Sequence, residues 1–399
     1  MSMRDETRCV SRVEVSLKGF DTLAVPVFRA STIRYADAQS FATRFERGPD
    51  DYVYGLYGTP THRYLEQKIT QMEAGTRTVL TPSGQAAITC AMLCVLGTGD
   101  RVLIPDSAYG PVRDFADREL SKLGIAVIYY DPCDMAALTR ELETPTRLVW
   151  VETPGSVTME VQDVPAIVAI ARACGALVGC DNTWASPLNF KPLVHGVDIV
   201  VEALSKHFSG HSDVLMGSIT VCDEKLGLEL KSFIGRMGIN ASPDDCALVM
   251  RGIETMAVRL KHASANGIKI AQWLTEQPAV ARVLHPALPG DPGHHIWQRD
   301  FSGAAGVFSF ELDSCSSANV LAALDALELI SIGASWGGTK SLLAPVSVKA
   351  LRSARPWTGT EFLLRLSVGM EAFDDLSDDL ARFFAALKLR AVTGAVSAA

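Results

Sequence analysis

The sequence predicts an α/β protein with a mostly parallel central sheet, flanking helices and a second, smaller α+β domain at the C-terminus. Short apolar runs of strand length recur between residues 77 and 204, and amphipathic segments of helix length separate several of them. These runs are apolar almost throughout, which is typical of parallel strands covered on both faces by crossover helices. Beyond residue 252 this alternation stops, and one long helical segment precedes a mixed set of shorter elements.

Length and composition agree with this fold class and exclude several functions. The 399 residues are 48% hydrophobic, which is enough for a large core and for two or three domains. The formal net charge of −8 comes without a basic patch, so we expect no nucleic-acid partner. No apolar run approaches the roughly twenty residues of a membrane helix, and the first residues lack a signal-peptide core, so we expect no membrane partner. Nine scattered cysteines without a CxxC pair favour a reducing, cytoplasmic location.

The N-terminal elements are expected in a definite order. The first fifty or so residues are polar and poorly periodic, which indicates an extended arm. Helices are predicted for HRYLEQKITQMEAG, with Gly75 as its C-cap, and for SGQAAITCAMLCVLGTG, YGPVRDFADRELSKLG and VPAIVAIARACG. Strands are predicted for TRTVLTP, DRVLIPD, IAVIYYD, TRLVWVE, ALVGCDN and DIVVEAL.

The C-terminal elements differ in character. The long helical segment IETMAVRLKHASANGIKIAQWLTEQ is followed by a predicted strand GVFSFEL and a helix SANVLAALDAL. A second strand, LLRLSVG, and a closing helix, DDLSDDLARFFAAL, complete the prediction. The expected division of the chain is therefore an arm over 1–56, a sheet domain over 57–252 and a C-terminal domain over 253–399.

Candidate functional residues follow the predicted strands. Ligands of parallel α/β sheets gather at the carboxyl edge, so this edge is where the residues after each strand meet. That edge offers backbone N–H groups at a helix start, an aromatic ring, a carboxylate and an amine. The residues are Gly84 and Gln85 at the helix start, Tyr109, Asp181 followed by Thr183, and Ser205 with Lys206.

These groups match the needs of pyridoxal phosphate. The cofactor requires a lysine for a Schiff base and a carboxylate that keeps its pyridine nitrogen protonated, here Lys206 and Asp181. A helix start binds its phosphate, and an aromatic ring stacks on its pyridine plane. Burial and the cationic ring are expected to lower the pKa of Lys206. The phosphate is assigned to Gly84, Gln85 and Ser205, and the stacking to Tyr109.

Each residue also has a simpler interpretation. Lys206 alone is compatible with a solvated strand end, and Asp181 with a cap or turn. His207 and His211, with Asp213 nearby, suggest metal ligands, but they lie in a Gly/Ser-rich loop without a third ligand cluster, so we expect no metal site. The joint occurrence of the groups at successive strand ends favours the cofactor over these alternatives.

Longer segments resemble one family. CDNTWASP, followed by ALSKHFSGHSDVLMGS, is similar to the Cys/Met-metabolism pyridoxal-phosphate enzymes of fold type I. From about residue 52 to residue 384, collinear segments resemble the bacterial cystathionine β-lyases of that family. The resemblance implies pyridoxal 5'-phosphate as the cofactor, a seven-stranded, mostly parallel sheet and a smaller C-terminal domain. These segments include YGLYGTPTH, PDSAYGPVRDF, ETPGSVTMEVQDVPAIV, SWGGTKSLL and LLRLSVGMEAFDDL.

The resemblance also implies roles for individual residues. Lys206 forms the Schiff base and moves the substrate proton, Asp181 pairs with the pyridine nitrogen, and Tyr109 stacks and assists the exchange of amines. Tyr54 of the arm reaches the phosphate of a neighbouring subunit, so a homo-oligomer, typically a dimer of dimers, is expected. The cofactor contacts further include Gly84, Gln85, Thr183 and Ser205, and the substrate contacts are Arg365, Ser335, Trp336 and Tyr57.

Five positions depart from the family pattern. Leu56 and Tyr57 stand where arginines are common, one for the phosphate and one for the distal end of the substrate. Ala334 stands where a larger residue is usual and opens the pocket. Lys340 replaces a common glutamate, and His207 replaces the usual aromatic residue after the lysine. The cofactor residues are thus retained, whereas the substrate-selecting positions have changed.

The expected function is a carbon–sulfur β-lyase acting on L-cystathionine or a related S-substituted cysteine. The sequence leaves open another β- or γ-elimination or replacement on a sulfur-containing or modified amino acid. A catalytically inactive cofactor-binding regulator is the third hypothesis, and the presence of both Lys206 and Asp181 favours an enzyme.

Overall fold

The computed structural model describes residues 18–19, 21–313 and 315–397, and its central feature is a seven-stranded sheet. The sheet contains β1 Arg77–Thr81, β2 Arg101–Pro105, β3 Ala126–Tyr130, β4 Leu148–Glu152, β5 Leu177–Asp181, β6 Ile199–Glu202 and β7 Gly217–Val221. Their order across the sheet is β1-β7-β6-β5-β4-β2-β3. Neighbours pair in parallel except β7, which is antiparallel to both β1 and β6. The predicted α/β class with a mostly parallel sheet is confirmed.

Helices cover both faces of this sheet. Up to β7 they are α1 Ala38–Ala42, α2 Pro60–Glu73, α3 Gly84–Val95, α4 Gly110–Phe115, α5 Met135–Glu141, α6 Val164–Ala173 and α7 Ser186–Asn189. Alternate strand residues enter two different hydrophobic clusters: Leu103 and Val149 pack on one face, whereas Val102 and Trp150 pack on the other. This two-sided burial explains why the strands are apolar almost throughout.

A second sheet forms the C-terminal part, as expected. Its strands are β8 Val280–Leu284, β9 Val307–Leu312, β10 Ser331–Ile332, β11 Leu342–Val346 and β12 Leu363–Ser367, in the order β10-β11-β12-β9-β8. The remaining helices are α8 Glu224–Arg236, α9 Pro243–Thr275, α10 His294–Asp300, α11 Ser317–Leu324 and α12 Phe373–Ser397. None of the helices in the described part of the chain combines the length and apolar character needed to cross a membrane.

The long helix connects these parts, and the arm contacts the start of that helix. In the described portion of the arm, α1 and a 3-10 turn at Arg44–Glu46 interrupt otherwise irregular chain, and Arg29 forms an ion pair with Asp244 at the start of α9. Helix α9 runs through residue 252, so one continuous element spans the predicted domain boundary. The three predicted domain ranges stay a prediction.

Several local predictions differ from the structure. The sixth strand ends at Glu202, and Lys206 lies in the following turn, where its N–H donates to the Ala203 carbonyl. Ala74, with φ +57°, caps α2 instead of Gly75. Strands β7, β8, β10 and β11 were not predicted, because their short or mixed sequences carry little periodic signal.

Candidate active site

A cavity of about 590 Å³ opens at the carboxyl edge of the large sheet, and residues 334–336, between β10 and β11, line it together with Arg365 of β12. Ten of the predicted site residues line it. They are Gly84, Gln85, Tyr109, Asp181, Thr183, Ser205, Lys206, Ser335, Trp336 and Arg365. Residues predicted from the strand ends and residues of the C-terminal motifs therefore line one cavity, although the outermost pair, Gly84 and Arg365, is 281 positions apart in sequence (365 − 84).

The amine of Lys206 is hydrogen-bonded inside the cavity, and its pKa is lowered there. Its Nζ donates a hydrogen bond to Ser335 Oγ at 2.6 Å and lies 5.4 Å from the centroid of the Trp336 ring. Burial, with a smaller contribution from the charge of Arg365, lowers the pKa of Lys206 to about 8, and the carboxylate of Asp181 opposes both effects. A substantial fraction of the amine is therefore neutral near physiological pH, as a nucleophile or a base requires.

Asp181 ends β5 and is held in one orientation. Its Oδ1 accepts hydrogen bonds from the N–H of Thr183 at 2.9 Å and from Thr183 Oγ1 at 2.5 Å. Thr183 Oγ1 in turn accepts from the N–H of Ala203, which ties the carboxylate to the segment leading to Lys206. Burial raises the pKa of Asp181, and the Thr183 bonds and the Lys206 charge act against that rise. Both bonds use Oδ1, so Oδ2 is left for another donor.

The start of α3 supplies backbone donors. Ser83 caps the helix, accepting from the N–H of Ala86 at 3.0 Å. The N–H groups of Gly84 and Gln85 belong to the first turn, where a helix has no internal acceptors. Ser205 faces the same end of the cavity and is oriented by Met216, whose N–H donates to Ser205 Oγ at 3.0 Å. This cluster of donors suits an anion.

Tyr109 and Glu152 form a linked pair at the wall. The N–H of Tyr109 donates to Glu152 Oε2 at 2.7 Å, which fixes the chain just before α4. The Tyr109 ring is 44% exposed and lines the cavity, so it is accessible to a bound molecule. Burial raises the pKa of Glu152 well above its usual range, and the nearby Asp181 carboxylate adds to this.

Arg365 faces the cavity from the middle of β12. Its neighbours Leu364 and Leu366 are buried on the opposite face, which is the alternation that the sequence indicates. Arg365 Nη2 donates to the Ala334 carbonyl at 2.5 Å and to the Ser335 carbonyl at 3.3 Å. The guanidinium is thus fixed beside Ser335, the acceptor of the Lys206 amine.

Pyridoxal phosphate fits the residues that are present. The cavity volume of about 590 Å³ lies within the range of about 300–1,000 Å³ typical of cofactor sites. A Cβ on Gly84 would lie 2.5 Å from Ala203 Cβ, so the helix start packs directly against the segment that leads to Ser205 and Lys206. Gln85 Oε1 is buried without a hydrogen-bond partner among the described residues, which suits an atom at the edge of a ligand site.

Two predicted contacts lie outside this cavity within the single chain. Tyr54 is 50% exposed, and Tyr57 packs against α8, where a Cβ on Gly235 would lie 2.5 Å from its Cε1. The structure describes one chain, so the contribution of Tyr54 and Tyr57 to a neighbouring subunit stays a prediction.

The histidines near Lys206 have structural contacts. His207 is buried, its Nε2 lies 3.1 Å from the Trp184 carbonyl, and burial lowers its pKa to about 4. His211 Nδ1 lies 2.6 Å from the Ser209 carbonyl. Within the described ranges, no three His, Cys, Asp or Glu side chains are grouped as a metal site.

The sequence prediction missed several lining residues. Glu152 ends a predicted strand, so the strand-end rule that identified Asp181 applies equally to it. Trp184 follows Asp181 and is oriented by its Nε1, which donates to the Val307 carbonyl at 2.9 Å. Asp213 and Leu215 had no local signal, because only the fold of their loop brings them to the cavity.

Comparison with known proteins agrees with this site. The family model for Cys/Met metabolism PLP-dependent enzymes matches residues 6–385. A putative cystathionine β-lyase of Rhizobium johnstonii is 43% identical over 365 residues, covering 90% of this chain and 91% of the relative. The cystathionine β-lyase MetC of Escherichia coli is 40% identical over 365 residues, covering 90% and 92%.

A solved structure shows the same fold. The cystathionine γ-synthase of Xanthomonas oryzae pv. oryzae, in complex with aminoacrylate and cysteine, matches with a TM-score of 0.86 and 30% identity over 93% of this chain and 95% of that chain. The expected fold, the dependence on pyridoxal phosphate and the carbon–sulfur lyase class are confirmed by these likenesses. The chain belongs to the Cys/Met metabolism PLP-dependent enzymes.

Proposed function

We propose that this enzyme catalyses β-elimination from an S-substituted L-cysteine such as L-cystathionine, releasing a thiol, pyruvate and ammonia. The observation that carries the proposal is the placement of the Lys206 amine, with its pKa of about 8, in one cavity with Asp181 and Arg365. The relatives named as cystathionine β-lyases support the same reaction.

One helix start and three side chains of this chain would hold the cofactor and substrate. The helix start at Gly84 and Gln85, with Ser205, would receive the phosphate, and Asp181 would keep the proton on the pyridine nitrogen. Arg365 would bind the substrate α-carboxylate through its guanidinium, which suits two parallel hydrogen bonds. Bound pyridoxal phosphate supplies an electron sink for the charge that develops on the substrate Cα.

Lys206 then moves the proton. Its neutral amine takes the Cα proton, and the electron pair left on carbon expels the thiolate from Cβ. The released 2-aminoprop-2-enoate takes up water to give pyruvate and ammonia. The Ser335 hydroxyl, 2.6 Å from Lys206 Nζ, holds the amine on the side of the cavity where Arg365 fixes the carboxylate.

Product analysis with L-cystathionine tests the proposal. Equal amounts of pyruvate and homocysteine are expected, whereas 2-oxobutyrate with cysteine would establish γ-elimination instead. Absence of any product from L-cystathionine and from S-propyl-L-cysteine alike, in a protein that shows the visible absorbance of bound cofactor, would contradict the lyase activity and favour the regulator. Lys206→Ala is expected to abolish pyruvate release, and Lys225→Ala, exposed on α8 and outside the cavity, serves as the matched control.

We also propose that the enzyme is a homo-oligomer, a dimer of dimers, in the cytoplasm. Exposed apolar side chains on the arm support an oligomer, because a partner subunit would cover them: Leu23, Phe28 and Phe45 are 105%, 43% and 75% exposed. All eight described cysteines are free, which agrees with a reducing compartment. Light scattering on the full chain tests the first point, since a monomeric mass would contradict it.

A further inference from the structure

Acidic side chains outnumber basic side chains among the described residues that line the cavity. Among the described residues that line it, the basic side chains are Lys206 and Arg365, and the acidic ones are Glu152, Asp181 and Asp213. Under the proposed function, Lys206 serves the proton transfer and Arg365 the α-carboxylate. No lining cation within the described ranges is then left for a second carboxylate on the distal part of a substrate.

Asp213 adds a negative charge on the same wall. It lies in the loop after Lys206 that also brings Ser212 and Leu215 to the cavity. Ser212 has φ +61°, and a Cβ on Gly338 would lie 2.3 Å from Ser212 Oγ, so the loop packs closely against the segment that follows Trp336. In the described part of the chain, no basic side chain forms an ion pair with Asp213.

The remaining wall is apolar or small. Leu215 is 73% exposed although it lines the cavity, and Val157, Ala334 and Trp336 contribute further uncharged surface. Exposed apolar surface within a ligand cavity favours an apolar substituent, because contact with it removes both surfaces from water. The arm positions Leu56 and Tyr57 are uncharged as well, so they would bring no cation if they reach a neighbouring site.

We propose that this site selects S-substituted cysteines whose distal group is uncharged and apolar, a short alkyl or aryl thioether, over substrates that carry a distal carboxylate. The proposal rests on the proposed β-elimination and deepens it by naming the substrate class. A distal carboxylate would lose water without gaining a counter-charge and would approach Asp213, and both effects weaken its binding.

Three nearly isosteric substrates test the selection with one assay. S-propyl-, S-(2-aminoethyl)- and S-(2-carboxyethyl)-L-cysteine share the S-ethylene unit and differ in the charge and polarity of the distal group, and β-elimination of each gives pyruvate. We expect kcat/KM for the carboxyethyl compound to be at least tenfold below that for the propyl compound, mainly through KM. Equal or higher kcat/KM for the carboxyethyl compound would overturn the selection while leaving β-elimination intact.

Dissociation constants of the three compounds distinguish a failure of the proposed selection from a failure of the proposed β-elimination. If none of the three compounds yields pyruvate, the β-elimination is wrong. The selection is then judged from their dissociation constants, measured through the change in visible absorbance of the bound cofactor. Constants for the propyl and carboxyethyl compounds that agree within twofold would overturn it, and tighter binding of the propyl compound by tenfold would support it.

A variant of the loop tests the electrostatic argument. Asp213→Asn is expected to narrow the gap in kcat/KM between the propyl and carboxyethyl compounds by several-fold, because the repelling charge is removed. Asp375→Asn, an exposed residue on α12 outside the cavity, is the matched control and should leave the gap unchanged. A gap that survives in Asp213→Asn unchanged would refute the role of this carboxylate.

Discussion

The pH dependence of cofactor capture follows from the environment of Lys206. Only the neutral amine attacks the aldehyde of pyridoxal phosphate, so capture by the cofactor-free enzyme should accelerate with pH until the amine is fully deprotonated. Burial, with a smaller contribution from Arg365, lowers the pKa of Lys206 to about 8. At pH 7 roughly one amine in ten is then neutral, whereas a lysine at its ordinary pKa would be neutral in only about one in three thousand.

Rapid mixing measures this directly. The cofactor-free enzyme is mixed with pyridoxal phosphate between pH 6 and pH 10, and the rate is followed by the growth of the visible absorbance. We expect about a tenfold rise per pH unit below pH 8 and a plateau above it, because the proton equilibrium then no longer limits the amine. A rate that keeps climbing tenfold per unit to pH 10 would refute the lowered pKa.

A model amine and two variants serve as controls for this measurement. Reaction of the cofactor with a blocked free lysine corrects for titration of the cofactor itself. Replacing Arg365 with Leu removes a charge that lowers the pKa of Lys206, so the break in the profile should move to higher pH. Asp181→Asn removes the opposing carboxylate and should move the break to lower pH. Shifts in the same direction for both variants would contradict the electrostatic account.

Three further predictions concern substrate binding, cofactor affinity and acid stability. Arg365→Lys should raise KM about tenfold, corresponding to about 1.4 kcal/mol, because a lysine cannot form two parallel hydrogen bonds with a carboxylate, and unchanged KM would contradict this role. Gly84→Ala places a Cβ 2.5 Å from Ala203 Cβ, so we expect about 1–3 kcal/mol of destabilisation and weaker cofactor binding. Denaturant unfolding and cofactor titration measure these two effects. Gly290→Ala, where a Cβ meets nothing within 4 Å, is the control for both measurements. Burial lowers the pKa of His285 to about 4 in the folded chain, whereas in the unfolded chain it is about 6.5. Between these two pH values the unfolded chain binds one more proton than the folded chain, so the free energy of unfolding falls as the pH falls. This residue should account for about 2 kcal/mol of the loss between pH 7 and pH 5, and His285→Asn should reduce the loss measured by denaturant unfolding.

Local patterns were enough to predict most of the large sheet. Six of its seven strands are apolar runs of five or so residues with turn residues after them, and the structure places strands in all six. The end of a strand is also a local feature, so Asp181 and the segment that carries Lys206 were identified as candidate chemistry before any contact was known. Glu152 ends β4 and obeys the same rule.

Strand β7 is an element that local sequence patterns do not predict. Its sequence, GSITV, is short and mixes small, polar and apolar residues. It becomes a strand because β1 and β6 pair with its two edges, and Thr220 Oγ1 lies 2.9 Å from Thr78 Oγ1 within the buried sheet. The pairing with β1 joins residues more than a hundred positions apart, so it leaves little trace in any short window of sequence.

The sequence by itself determined the alternation of strands and helices, the residues at the strand ends and the identity of the chemical groups. These features depend on periodicity and on neighbours along the chain. Only the tertiary structure decided that the Lys206 amine donates to Ser335 Oγ, that Arg365 Nη2 donates to the Ala334 and Ser335 carbonyls, and that Asp213 and Leu215 line the same cavity. Those properties depend on distances and on exclusion of water between distant segments, and such distances exist only once the chain has folded.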